Sequence, residues 1–304
     1  MTQPAISESK GGFVQRMGDW AVLFKLRLSS LVVLGALVGA LLGQGETRGI
    51  LDALEAAFWI ACSATSGCIL NQVIEQATDR RMERTKNRPL LTGRISVQDA
   101  VVTAAVMGAA STFFLAYRFN LLSSFLALGS LFTYVAIYTP LKKVSALNTL
   151  VGAFPGAAPM MIGYAAMTGW IDSWGTSLFL IVFAWQFPHF MAIAWIHRED
   201  YRRAGLAMVP VLDGGERAAG VQAMGHSVVL IPIAMLPTLW GDAGMVYLIG
   251  TLLISIIYTG FSVRFALVQD QARAKALFRF SLAYLPLLFA LIYLDLHHGA
   301  GPFF

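Results

Sequence analysis

Charge is what this chain has least of. Of its 304 residues only 13% are Asp, Glu, Lys or Arg, while 57% are hydrophobic. Soluble domains carry roughly 25% charged residues, so a water-soluble fold is excluded and an integral membrane protein is expected. Cysteine is nearly absent as well. Cys62 and Cys68 stand six apart inside an apolar run, which excludes a disulfide framework, a zinc site and a dithiol redox motif. No small-residue cleavage site of the A-x-A kind precedes the first apolar run, so a removable signal peptide is not expected. Low-complexity tracts and polar stretches large enough for a soluble domain are also missing. Residues 1–304 therefore read as a single membrane domain with a polar N-terminal tail over 1–20.

What the chain has in abundance is apolar runs near the 20 residues a membrane helix needs. Nine are expected, over 23–43, 52–77, 97–116, 120–138, 148–167, 174–196, 225–240, 243–263 and 277–296. The fold class that follows is all-α, a polytopic bundle around a central cavity that opens on the cytoplasmic side. Charge sets the orientation. With the N-terminus inside, 20 of the 22 Lys and Arg residues fall on one side, leaving Arg48 and Arg118 opposite. Positive residues collect on the cytoplasmic face, so a cytoplasmic N-terminus, an outside C-terminus and a bacterial plasma (inner) membrane are expected. The net charge of +5 is thus a topology signal, and no nucleic-acid partner is expected. Two inner segments, 78–96 and 197–224, are the longest loops, and both follow spans with unusual polar residues.

The first such segment runs from Asn71 to Leu90. Asn71, Glu75 and Asp79 are spaced i, i+4, i+8, which stacks them on one helix face over about 12 Å. Carboxylates at the mouth of a membrane helix are costly unless a cation satisfies them. Oxygen ligands suit Mg²⁺, which commonly shares its shell with phosphate, and Arg84 and Arg88 just downstream suit the rest of such an anion. The arrangement is either a metal–diphosphate site or a decorated helix end. A second constellation places His189 and His197 eight apart on the sixth span, leading into Arg198 and Asp200. These histidines are core residues, ligands to a tetrapyrrole iron, or groups that orient an acceptor. In a third, Tyr138 is followed by Lys142 and Lys143, which form either an aromatic belt with inner-side lysines or a π face beside a phosphate grip.

Taken together and in this order, the three constellations resemble the intramembrane prenyltransferase superfamily that includes 4-hydroxybenzoate polyprenyltransferase. Within it they are most similar to the haem O synthase (protohaem IX farnesyltransferase) branch. The pattern N-x-x-x-D-x-x-x-D-x-x-M-x-R-T-x-x-R-P-L runs from Asn71 to Leu90. Similar stretches recur at Tyr138-Thr-Pro-Leu-Lys-Lys, Asn148–Gly163, Trp185-Gln-Phe-Pro-His189-Phe and Asp200–Pro210. Two departures stand out. Glu75 replaces the usual Asp, and the superfamily's second carboxylate pair is missing, since Ile196 and Ala204 lie four residues either side of Asp200.

The resemblance implies an enzyme with Mg as cofactor, held by Asn71, Glu75, Asp79 and Asp200. Arg84, Arg88, Lys142 and Arg198 would bind diphosphate, Tyr138 would serve catalysis, and His189 and His197 would bind haem. It implies farnesyl diphosphate and haem b as substrates, membrane lipid as surroundings, and haem A synthase or a terminal oxidase as possible assembly partners. Three alternatives stay open: prenyl transfer to an aromatic or quinone-precursor acceptor, a non-catalytic haem-binding protein, and a transporter. A CDP-alcohol phosphotransferase is disfavoured because Asp213-Gly214 is followed by Gly-Glu-Arg, which breaks that class's D-G-x-x-A-R signature.

Overall fold

The computed structural model describes residues 12–45 and 48–298; Lys10 and the Arg27 side chain, counted above, lie outside what it describes. Among the described residues every regular element is a helix. They are α1 Phe13–Leu23, α2 Leu26–Leu42, α3 Ile50–Ile74, α4 Gln76–Asp79, α5 Val97–Phe114, α6 Leu121–Phe132, α7 Thr139–Leu141, α8 Asn148–Thr168, α9 Ser173–Ile196, α10 Arg198–Ala204, α11 Gly215–Leu239, α12 Met245–Leu267 and α13 Gln271–His298. Two π-helical segments, Leu115–Phe119 and Thr133–Tyr138, continue α5 and α6. Eight helical runs are long and apolar enough to cross a membrane, and α2 is a shorter ninth. The expected all-α polytopic class is borne out, and eight such helices with a shorter ninth among the described residues agree with about nine spans.

Three span starts differ by three residues or more from those read off the sequence, and one is α13, which begins at Gln271 where 277 was expected. The first span starts at Leu26, because Lys25 takes a left-handed backbone (φ 51°) and separates α2 from α1. That short α1 exposes Val14, Met17 and Val22 beside polar residues, the pattern of a helix lying in the membrane interface. The seventh span starts at Gly215, ten residues before the 225 expected, on a positive-φ Gly214. Its first turns, Glu216–Met224, are Ala-rich and partly polar. They form helix readily but carry too little hydropathy to register as a span. The expected 197–224 loop accordingly resolves into α10, a 3₁₀ turn at Val209–Val211, and the start of α11.

Packing follows membrane rules, where close approach of small residues replaces a hydrophobic driving force. Helix α2 lies between α3 and α8; α8 meets α9; α9 meets α11 and α13; and α12 bridges α11 and α13. The α2–α8 crossing depends on glycine. A Cβ on Gly39 would stand 2.0 Å from the Met160 carbonyl oxygen, and one on Gly163 would stand 2.1 Å from that of Ala36. Large apolar side chains such as Phe125 and Leu267 face outward. A cavity of about 260 Å³ remains inside, walled by α2, α3, α6, the second π segment, α8, α9 and α13.

Candidate active site

The polar site sits where α3 ends. Asn71 is in the last turn of α3, Glu75 occupies the break between α3 and α4, and Asp79 closes α4. Despite the break, the Glu75 amide donates to the Asn71 carbonyl (2.9 Å) and the Asp79 amide to that of Glu75 (2.8 Å). The i, i+4, i+8 stack therefore survives. All three side chains are buried.

Each finds a cation, as burial of a carboxylate requires. The Lys25 ammonium donates to Asn71 Oδ1 (3.1 Å), and the Asn71 amide donates to Thr139 Oγ1 (3.0 Å). Lys142 Nζ donates to Glu75 Oε1 at 2.8 Å, and Arg88 forms a short ion pair with Asp79 Oδ2. Thr85 Oγ1 donates to the Asp79 carbonyl (2.8 Å), which ties down the turn that carries Arg88. Lys142 also lies 4.5 Å above the Tyr138 ring, and Tyr138 stacks on Tyr134 at 5.3 Å. Both tyrosines lie on the second π segment, whose register shift is common at functional sites.

The second basic segment meets this mouth from the other side. Asp200 Oδ1 accepts from the Glu83 amide (3.3 Å) and pairs with Arg203. Arg84 donates to the Tyr201 hydroxyl (3.4 Å) and lies over its ring. Met82, Tyr201, Ala204 and Leu206 pack as an apolar cluster beneath. A third strap, after α7, joins in. The Ala207 amide donates to the Lys142 carbonyl (2.7 Å), and Asn148 Nδ2 donates to the Ala207 carbonyl (2.9 Å).

The electrostatics are those of a charge-compensated vestibule. Burial pushes the Asp79 carboxyl above its ordinary range, with Arg88 opposing only in part. Burial lowers Lys25. It works against Lys142 too, yet the neighbouring Tyr138 and Glu75 hold that ammonium above the lysine range. Burial also opposes ionisation of Asp200, but the Arg203 pair and the Glu83 amide keep its carboxyl below the usual range.

The remaining expected residues lie elsewhere. His189 faces the cavity in the middle of α9, where Nδ1 meets Ser281 Oγ of α13 at 2.6 Å. His197 caps the end of α9, with Arg84 and Asp200 as its charged neighbours. The two histidines are therefore not brought into one cluster. Arg198 turns to Glu216 (3.1 Å) and lies over Trp195 at 3.9 Å, and its recorded partners include none of the three stacked residues. Lys25 is the site residue that sequence reasoning missed, counted there only as a basic flank. A lysine ahead of an apolar run was the available signal, but nothing in the sequence shows that the chain kinks to bury it. Gln186, which spans from α9 to the Ala153 carbonyl (2.6 Å) and lines the cavity, was missed as well.

Among the described residues no three His, Cys, Asp or Glu side chains group as a metal cluster. The donors at the mouth are nonetheless hard oxygens, the set that Mg²⁺ takes. Each is already oriented toward a positive partner, so the residues present fit a divalent cation.

A helical bundle whose buried carboxylates and cations cap an apolar cavity is the architecture of an intramembrane prenyltransferase. Residues 32–285 match the UbiA prenyltransferase family, and the chain belongs to it. It is an enzyme of this family, and the resemblance read from its motifs is borne out. Proteins named protoheme IX farnesyltransferase are 34% identical in Koribacter versatilis, over 97% of this chain and 98% of the relative. They are 38% identical in Cytophaga hutchinsonii (90% and 96%) and 39% in Myxococcus xanthus (91% and 94%). The fold is shared with a digeranylgeranylglyceryl phosphate synthase structure (TM-score 0.76, 15% identity, 92% and 98% covered). It is also shared with an Archaeoglobus fulgidus UbiA homologue bound to GPP and Mg²⁺ (TM-score 0.66, 18% identity, 90% and 99% covered).

Proposed function

We propose that the protein transfers the farnesyl group of farnesyl diphosphate to a vinyl group of haem b, giving haem O, in a Mg²⁺-dependent reaction. The observation that carries this reading is the charge arrangement at the mouth. Lys25, Lys142 and Arg88 stand against two carboxylates, Glu75 and Asp79, which leaves one net positive charge. A divalent ion held by the oxygens of Asn71, Glu75 and Asp79, assisted by Asp200 whose charge Arg203 offsets, would raise the excess to three. That balances a prenyl diphosphate and releases the three cations to it. The relatives' name supplies the donor and acceptor, and the GPP and Mg²⁺ of the fulgidus homologue support the metal.

The ion supplies charge neutralisation for the diphosphate leaving group. The chain's own residues do the rest. Lys25, Lys142, Arg88 and Arg84 hold the diphosphate at the polar end, with the farnesyl tail directed away from them among apolar side chains. Breaking the C–O bond leaves an allylic cation, which the faces of Tyr138 and Tyr134 stabilise in a site shielded from bulk water. The vinyl carbon of haem b attacks that cation, and water adds to the neighbouring carbon with loss of a proton. A hydroxyethylfarnesyl side chain results. His189 and His197 are the acceptor-side candidates. The active-site loops, and with them the N-terminus, lie on the cytoplasmic side of a bacterial inner membrane, and the product suits a haem A synthase or terminal oxidase.

The test is incubation of membranes holding this protein with haem b, farnesyl diphosphate and Mg²⁺, followed by mass spectrometry of the extracted haem. The expected product is haem gaining a farnesyl group plus water. Unchanged haem with farnesyl diphosphate still consumed would move the acceptor to an aromatic compound.

A further inference from the structure

We propose that His189 is the axial ligand to the porphyrin iron of the acceptor, and that Ser281 is the positioning residue that fixes it in the ligating tautomer. This rests on the haem reading above. The proton inventory at this point of the bundle carries the argument. Ser281 is fully buried, and its Oγ lies 2.6 Å from the Phe278 carbonyl and 2.6 Å from His189 Nδ1. The Ser281 hydroxyl donates to the Phe278 carbonyl, which uses its single proton. In that arrangement the Ser281 oxygen accepts from His189, which places the imidazole proton on Nδ1 and leaves Nε2 with its lone pair.

Two aromatic rings also hold the imidazole. Trp185 stacks on it at 5.1 Å, inclined by 23°, and Phe278 approaches at 5.2 Å and 32°. Trp185 is itself anchored, its Nε1 donating to the Ser281 carbonyl (3.1 Å). Helix α9 thus offers an imidazole that α13 orients in three ways. A donated Nδ1–H that fixes the tautomer and raises the basicity of Nε2 is the usual arrangement behind a metal-ligating histidine, and imidazole nitrogen suits iron. His189 is also the histidine that the cavity selects. Neither His197 nor His226 belongs to its lining. His226 stacks on Phe187 at 4.0 Å and bonds the Gln222 carbonyl through Nδ1.

The experiment is titration of the purified full-length protein with ferric haem b, read by the Soret band and by resonance Raman of the reduced complex. The parent should show a histidine-ligated haem with an iron–histidine stretch. His189→Ala should lose that signature and regain it on addition of free imidazole. Ser281→Ala should weaken haem binding by about 10- to 100-fold and lower the iron–histidine stretching frequency. Ser281→Thr should keep both near the parent values. A parent-like spectrum in His189→Ala, or an unshifted stretch in Ser281→Ala, would overturn the assignment while leaving the haem reaction standing. Absence of any haem complex in the parent would overturn both.

Discussion

Gly152 offers the sharpest test of Tyr138. The residue lies on α8, directly against the tyrosine ring. A Cβ built there would stand 2.6 Å from Cε2, 2.7 Å from Cδ2 and 3.2 Å from Cζ. Carbon contacts settle at about 3.5–4.0 Å, so Gly152→Ala must displace the ring by roughly 1 Å. The ring has little room to comply, with Tyr134 stacked on it and Lys142 over its face. Misplacing a catalytic group by about 1 Å costs on the order of 10²-fold in rate, or about 2.7 kcal/mol in the barrier. The stability cost is smaller. Overpacking costs about 1–3 kcal/mol and replacing a helical glycine by alanine returns about 0.5–1, so the protein stays folded. Gly129→Ala is the control, since nothing lies within 4 Å of its added carbon. The assay is farnesyl transfer in detergent, with thermal unfolding measured on the same samples. The expected result is a hundredfold lower kcat in Gly152→Ala and parent-like kcat in Gly129→Ala. A Gly152→Ala enzyme within threefold of the parent would refute the placement of Tyr138 beside the reacting carbon.

Four further outcomes follow from the same geometry. Asp79→Asn should cut turnover by about 10²-fold or more while the protein still folds; retained activity would remove Asp79 from the metal site. Chelation should abolish turnover and Mg²⁺ restore it. Mg²⁺ should also bind more tightly when a prenyl diphosphate analogue is present, since Lys25, Lys142 and Arg88 otherwise occupy the same oxygens and coupling is reciprocal; calorimetry showing equal affinity with and without the analogue would contradict this. Burial and the nearby Arg84 hold the His197 pKa below the ordinary histidine value. Its contribution to stability is therefore full above the unfolded pKa of about 6.5 and is lost as pH falls through the lower folded value. His197→Gln should flatten the dependence of unfolding temperature on pH below that point, and an unchanged slope would count against it.

How much of this was legible beforehand depends on the range of the interaction. The span count, the stacked Asn71, Glu75 and Asp79, and the placement of Arg88 near them are local, set by helix spacing and a turn of nine residues. Hydropathy failed where composition and conformation part company, at the polar start of α11 and at Lys25. Partnerships between distant segments were not legible at all. Nothing in the sequence pairs Lys25 with Asn71, Ser281 with His189, or Glu83 with Asp200, separated by 46, 92 and 117 positions. These pairings also revise what the motif means physically. Read alone, the carboxylates look like an unmet demand for a metal. In the fold each of the three side chains already meets a lysine or arginine through one oxygen, so the site can be buried without its ligands. On the proposed function, metal and diphosphate would enter by exchange, the oxygens of Asn71, Glu75 and Asp79 passing to the ion and their lysine and arginine partners to the phosphate. Such an exchange couples the two ligands, and it makes Lys25, hidden at a kink before the first span, as much a part of the site as the residues the motif names.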